Sequence, residues 1–384
     1  MKKFIKTNYF ALFIFGFLEI GCAHFRSTPP RSVAFVLYDA GEAKALEPVF
    51  NYLKEHHVPQ KIIAIGTARN LVEKNPDFID IQKSCEVSEK LNSKLGSEES
   101  LISYDINKIT DCLNPTLVVT GMVSTFQKQL SDAMKQRGVP VWGYYDSFSE
   151  DGIKESRSFL PSLAKVLVPS LSIKKAYQKI SKAPVEVVGQ PTLEEWRDRA
   201  SKMDARKILE ELDLTKSFPV VLYAGGYGKG YAAAFKNFAV EATKLKDCIV
   251  LVSLHPKSDG MLEQKILSEV PVSGIRIVPK NISTNEVALI SDLVVTYQSS
   301  VGVQAVFLGK PVVYFDTKGS TYSDLAIQNH WATQVTTPEK FIPTVREKLK
   351  EKVYNNNKDV FAAFGIPKDS AQNIGRLIEN RVLE

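Results

Sequence analysis

Short, unbroken apolar runs rich in β-branched residues recur along this chain, separated by segments whose apolar residues fall at helical spacing. Residues 32–38 (SVAFVLY) are the first such run. Uninterrupted apolarity, rather than alternation, predicts a strand buried on both faces. Leu46, Val49, Phe50 and Leu53 then repeat with the three-and-four spacing of an amphipathic helix. Pro48 is expected in its first turn or at a kink. Further strands are predicted at 61–66 (KIIAIG), 116–121 (TLVVTG), 139–145 (VPVWGYY), 165–170 (KVLVPS) and 185–191 (VEVVGQP). Strand, helix and short link in repetition predict parallel βαβ units.

The alternation is interrupted by a charged, helix-like stretch at 192–212 and a hinge-like segment at 215–219. It resumes with 219–226 (PVVLYAGG), 248–256 (CIVLVSLHP), 274–279 (GIRIVP), 292–297 (DLVVTY) and 311–316 (PVVYFD). Ser283 and Glu286 have capping-box spacing ahead of another helix. The expected fold class is α/β, with two Rossmann-like αβα domains, 32–190 and 215–365, facing each other across a cleft. A polar C-terminal helix, 366–384, is expected to cross back to the first domain.

The N-terminus breaks this pattern. Lys2, Lys3 and Lys6 precede an apolar run from Tyr9 to Leu18, too short for a typical spanning helix. Gly21-Cys22 after that run is similar to a bacterial lipoprotein signal, which would make Cys22 the lipidated first residue of the mature chain. Glu19 departs from that pattern, so cleavage after Ala23 and an uncleaved anchor are kept as alternatives. Residues 1–22 are thus expected to be a signal peptide or membrane anchor. The remaining thiols, Cys85, Cys112 and Cys248, have no metal-ligand spacing, and no disulfide framework is expected of three. Cys112 and Cys248 are expected to be small buried hydrophobes.

With 384 residues, 44% hydrophobic and 24% charged, the chain is globular in composition. Its net charge of +6 is spread over mixed-charge helical segments without a nucleic-acid motif, so no nucleic-acid partner is expected.

Ligands of parallel sheets bind beyond the carboxyl ends of the strands. Three such ends in the second half carry suggestive residues. Gly225, Gly226, Gly228, Lys229 and Gly230 follow one, His255 follows the next, and Gln298, Ser299 and Ser300 follow a third. Glycine lets backbone approach a phosphate, and hydroxyls with the free N–H groups of a helical first turn can hold an anion. The Walker pattern is absent. Each feature also has a plainer role. Ser299 or Ser300 suits a helix cap, the glycines suit a turn, and His255-Pro256 suits a strand-end bend. Coincidence of all three on one sheet edge favours an anion site. In the first half, Asp39 and Glu42, with Asp146, are candidate bases for an acceptor hydroxyl, and capping of the following helix is the equal alternative. Tyr144, Tyr145 and Phe148 suit an acceptor wall or core packing. His56 and His57 are read as helix-end residues, and His330 and Trp331 either flank the cleft or pack at a helix end.

The series SLHPK … STNEVALISDLVVTYQSSVGVQAVFLGKPVVYFD resembles the C-terminal half of GT-B glycosyltransferases. It is most similar to capsule and teichoic-acid polymerase types, including CDP-glycerol glycerophosphotransferases. UDP-N-acetylglucosamine 2-epimerases and lipid-A-disaccharide synthase share the layout. The resemblance implies that His255, Ser299 and Ser300 contact donor phosphates, with the glycine loop beside them. Gln304 stands where many such enzymes carry a ribose-binding Glu. An amide keeps hydrogen bonding there but supplies no charge.

These readings imply a transferase moving a glycosyl or polyol-phosphate group from a nucleotide-activated donor, in envelope polysaccharide or glycolipid assembly. The nucleoside diphosphate donor is the substrate, no separate cofactor or metal is expected, and the acceptor is a saccharide, polyol or lipid-linked molecule. A non-catalytic, membrane-anchored lipoprotein on the same frame is one alternative. A nucleotide-sugar 2-epimerase-like enzyme is another.

Overall fold

The computed structural model describes residues 31–87, 105–214, 217–226, 228, 230–256, 258–270, 274–317, 325–351 and 357–384. Residues 31–384 group as one compact unit. Cys22 and the rest of the leader, and Lys229, lie outside the described residues.

Two six-stranded parallel sheets organise the chain. The first contains β1 (Val33–Leu37), β2 (Gln60–Ala64), β3 (Leu117–Thr120), β4 (Val141–Tyr144), β5 (Lys165–Val168) and β6 (Val185–Val187), in the order β2-β1-β3-β4-β5-β6. The second contains β7 (Val220–Ala224), β8 (Ile249–Ser253), β9 (Ile275–Ile277), β10 (Leu293–Thr296), β11 (Val312–Phe315) and β12 (Ala332–Val335), in the order β12-β11-β10-β7-β8-β9. Every expected strand is present. β12 was not anticipated, because Ala332–Val335 is a half-buried edge strand that includes Thr333 and Gln334 and lacks the apolar run of its neighbours.

Why these runs become central strands is visible in their burial. Ala34 and Val36 face one cluster, whereas Val33, Phe35 and Leu37 face another, with 0–1% exposure throughout. Successive side chains of a strand point to opposite faces, so only a fully apolar run satisfies both. β7 divides likewise, with Val220 and Leu222 on one side and Val221 and Tyr223 on the other. One hydrophobic cluster includes Ala34, Val118 and Val166 from the first sheet and Leu222 and Val294 from the second. Phe148, after β4, meets Phe307 of the second half at 6.3 Å between ring centroids and Phe364 at 6.0 Å. Tyr144, Tyr145 and Phe148 are buried, as core packing requires.

Three local findings amend the sequence reading. Pro48 stands in the middle of the helix Ala40–Glu55, not in its first turn. The helix continues because Ala45, Leu46, Val49, Phe50 and Leu53 bury its apolar face around that position. The 192–212 stretch is two helices, Pro191–Lys202 and Ala205–Glu211, broken where Asp204 caps the second through Arg206 N–H. Cys85 and Cys112 form a disulfide that joins the end of the helix Ile81–Ser84 to the helix Ile106–Leu113. Cys112 therefore pairs, rather than packing as a free thiol. The two cysteines are 27 residues apart in sequence, with Cα atoms 5.4 Å apart. Spacing alone cannot reveal such a pair.

The C-terminal helix Ser370–Leu383 returns to the first sheet, as expected. Ile374, Ile378 and Val382 join the cluster built on Leu46, Val49 and Phe50. Its first turn is tied down by Glu194, which accepts from Ser370 N–H and Oγ at 2.9–3.1 Å. No described helix is long and apolar enough to cross a membrane.

Candidate active site

In the second sheet, chain order reverses between β10 and β7. Helices after these two strands leave in different directions, opening a crevice at their carboxyl ends. The glycine loop follows β7 and Gln298–Ser300 follows β10, so both border this crevice. His255 follows β8, the next strand out.

The contacts between loops are close. Gly225 N–H donates to Ser253 O at 2.8 Å. A Cβ at Gly225 would come within 2.7 Å of Ser253 O and 3.0 Å of His255 N, and one at Gly226 within 3.2 Å of Tyr297 O. Residues with side chains do not fit at either position without displacing backbone, which is why glycine stands there. Gly228 (φ 89°) and Gly230 (φ 103°) take the left-handed conformation, and Gly230 opens the helix Tyr231–Ala242. The structure thus brings together Gly225, Gly226, His255 and the β10 loop.

On the β10 side, Gln298 adopts φ 43°, unusual for a residue with a side chain. Its Nε2 donates to Asp316 Oδ2 at 3.0 Å, and Asp316 is buried at the end of β11. This bond offsets part of the cost of the kink and directs the chain into Ser299 and Ser300. Tyr314 Oη donates to Ser299 O at 3.3 Å. Ser299 Oγ accepts from Val301 N–H at a long 3.3 Å. Ser300 is the N-terminal flanking residue of the helix Val301–Phe307, yet it is exposed and its side chain makes no capping bond. A pure capping role therefore does not account for the second hydroxyl. The helix has only seven residues, so loop N–H groups and hydroxyls, rather than a long macrodipole, are what an anion would meet. Gln304 is half-buried in this helix.

The first sheet reverses between β1 and β3, and acidic residues gather there. Asp39 and Glu42 form a capping box at the start of the helix Ala40–Glu55. Glu42 Oε1 accepts from the N–H groups of Tyr38 and, at 2.8 Å, Asp39. Gln127 Nε2 donates to both carboxylate oxygens, at 2.9 and 3.1 Å. Gly121 leaves the space that this carboxyl fills, since a Cβ there would overlap Glu42 Oε2. Glu42 is 2% exposed. Burial above all, helped by the charges of Asp39 and Asp146, pushes its carboxyl up to about 8 against the pull of the Tyr38 and Asp39 N–H bonds. Asp39 and Asp146 are half-exposed on the same edge, with Asp146 Oδ2 next to Gly41. The capping alternative thus describes Glu42's contacts, and Asp39 and Asp146 are the more exposed of the three carboxylates on this edge.

Sequence reading missed Gln127, Gly121 and Asp316. Gly121 directly follows the TLVVT run, at the carboxyl end of a predicted strand, and so carried a usable signal. Among the described residues no group of three His, Cys, Asp or Glu side chains could hold a metal ion.

Known proteins share this architecture. UDP-GlcNAc 2-epimerase from Methanocaldococcus jannaschii, solved with UDP-GlcNAc and UDP, superposes with TM-score 0.67 at 15% identity, covering 91% of this chain and 99% of that one. S. aureus MnaA, in a UDP co-structure, gives TM-score 0.67 at 11% identity over 92% and 98%. A glycosyltransferase from Rickettsia africae gives 0.62 at 13% identity over 93% and 100%. At such identities the likeness is one of fold, and that fold is the GT-B arrangement of two facing Rossmann-like halves. No curated protein matches the sequence at a significant level. A family model for CDP-glycerol:poly(glycerophosphate) glycerophosphotransferase matches residues 164–359, just over half of the 384 residues and including all three loops of the second-sheet crevice. The chain belongs to the CDP-glycerol:poly(glycerophosphate) glycerophosphotransferase family, and so to the GT-B transferases that use nucleotide-activated donors.

Proposed function

We propose that this protein transfers a polyol-phosphate or glycosyl group from a nucleoside-diphosphate-activated donor to a hydroxyl of a saccharide, polyol or lipid-linked acceptor in envelope polymer assembly. The observation that supports this reading is the packing of Gly225 against Ser253 and His255 and of Gly226 against Tyr297, which brings the ends of β7, β8 and β10 together at the β7/β10 crevice. The donor's phosphates would lie against Gly225, Gly226 and Gly228, with His255, Ser299 and Ser300 donating hydrogen bonds and Lys229 adding charge. Gln304 would meet the ribose. In polyol-phosphate transfer, the acceptor oxygen bonds to the donor's distal phosphorus, the bridging P–O bond breaks, and a nucleoside monophosphate leaves. The acceptor's proton passes to Asp39 or Asp146. Donors fixed around the leaving phosphate stabilise charge as it develops.

Thermal melts with CDP, UDP and GDP test the site. A bound nucleotide at 100 times its dissociation constant stabilises the fold by about 2.7 kcal/mol. His255→Ala and Ser300→Ala are expected to shrink that shift. Wild-type shifts in both variants would remove the assignment.

One observation favours a second reading, a surface-anchored binding protein on the same frame. The Cys85–Cys112 disulfide suits an oxidising compartment, as does a lipidated Cys22, whereas activated nucleotides are cytoplasmic reagents. Mass spectrometry of the mature N-terminus and of non-reduced peptides decides between them. A lipidated Cys22 with the bridge intact and no nucleotide response would establish this second reading.

A further inference from the structure

Behind the glycine loop sits a carboxylate that none of the steps above uses. Glu263, on the helix Met261–Ser268, is 0% exposed. Its Oε1 accepts from Tyr231 Oη at 2.9 Å, and its Oε2 accepts from Ser258 Oγ at 2.9 Å. Both partners lead to the crevice. Tyr231, which carries this hydroxyl, is the first residue of the helix that follows the glycine loop, and its ring lies 3.1 Å from where a Cβ of Gly226 would be. The same hydroxyl lies 3.3 Å from where a Cβ of Gly225 would be. Ser258 N–H donates to His255 O at 2.7 Å, and Ser258 Oγ accepts from Gly260 N–H at 3.1 Å, closing the turn that presents His255.

Given the donor reading above, we infer that Glu263 is a positioning residue for the donor phosphates, locking the glycine loop and the His255 turn into one register. Beyond the Gly225 N–H bond to Ser253 O at the end of the β7/β8 ladder, no backbone bond joins the two loops among the described residues. A single buried acceptor bonded to both removes their independent motion. Unmade, such bonds would leave a buried hydroxyl unsatisfied beside the loop. Preorganised donors bind an anion better than donors that must first be ordered. Glu263→Gln keeps an acceptor for Tyr231. Glu263→Leu and Tyr231→Phe each break the relay, the second without touching the His255 turn.

The test is run on the full chain. CDP and UDP dissociation constants are measured by calorimetry for wild type and the three variants, with amide exchange at 225–231 and 254–260. Tyr231→Phe and Glu263→Leu are expected to weaken nucleotide binding roughly tenfold, the effect of one lost buried hydrogen bond, and Glu263→Gln to stay within about threefold. Exchange should rise locally: at 225–231 in Tyr231→Phe, and at both loops in Glu263→Leu. Donor KM should rise more than kcat falls. The inference is overturned if Tyr231→Phe binds CDP and UDP like wild type with unchanged loop exchange. It is equally overturned if Glu263→Gln is as damaging as Glu263→Leu, with exchange raised across the whole molecule. If wild type binds no nucleotide, the donor reading fails, and the local exchange data still decide whether Glu263 couples the two loops.

Discussion

Glu42 shows how one residue can serve structure and electrostatics together. Its ordinary carboxyl value is 4.5, and in the folded chain burial raises it to about 8. Between those values the folded state retains a proton that the unfolded state has released. Stability is therefore fully present below about 4.5, declines as pH rises, and levels off above about 8. The loss over that window is on the order of 5 kcal/mol. Glu42→Gln keeps the acceptor for the Tyr38 and Asp39 N–H groups and has no proton to lose. Its denaturation midpoint should stay nearly flat from pH 5 to 8, where wild type falls. Parallel pH profiles for the two proteins would refute an uncharged Glu42. The identity of this residue as a helix-start acid was legible from Asp39-Ala40-Gly41-Glu42. Its enclosure was not, because Gln127 and Gly121 come from a strand and helix about 80 positions later.

At the scale of elements, hydrophobic runs located eleven of the twelve described strands, the central ones because a strand buried on two faces must be continuously apolar, and the edge strand β9 through the apolar residues on either side of exposed Arg276. Edge strand β12 escaped because half-burial permits polar residues. The capping box at Ser283 and Glu286 was legible because its partners are three residues apart. The return of the helix Ser370–Leu383 could be guessed but its contacts could not. Ile378→Ala should cost about 2–5 kcal/mol in chemical denaturation, because that side chain is fully buried against the first sheet. A cost below 1 kcal/mol would mean that the helix is not docked. The disulfide ties two helices across a 27-residue separation. Reduction should destabilise the fold by about 3 kcal/mol through regained chain entropy in the unfolded state. Equal midpoints with and without reductant would show that the bridge is absent or contributes nothing.

At the scale of the whole molecule, the site exists because two sheets each reverse strand order, and each reversal opens a crevice at its carboxyl edge. Nucleotide-dependent stabilisation is the property of this scale, since it requires loops from β7, β8 and β10 to act together. The sequence by itself determined the α/β class, the division into two strand-helix series, and which residues stand at strand ends. Those features follow from local periodicity, turn chemistry and capping, whose partners lie within a few positions of one another. Only the tertiary structure decided that β7 lies beside β10, that Cys85 meets Cys112, that Glu42 is enclosed, and that Glu263 reaches two loops at once. Each of these depends on strand order and long-range packing, and many orders of parallel strands are compatible with the same succession of apolar runs.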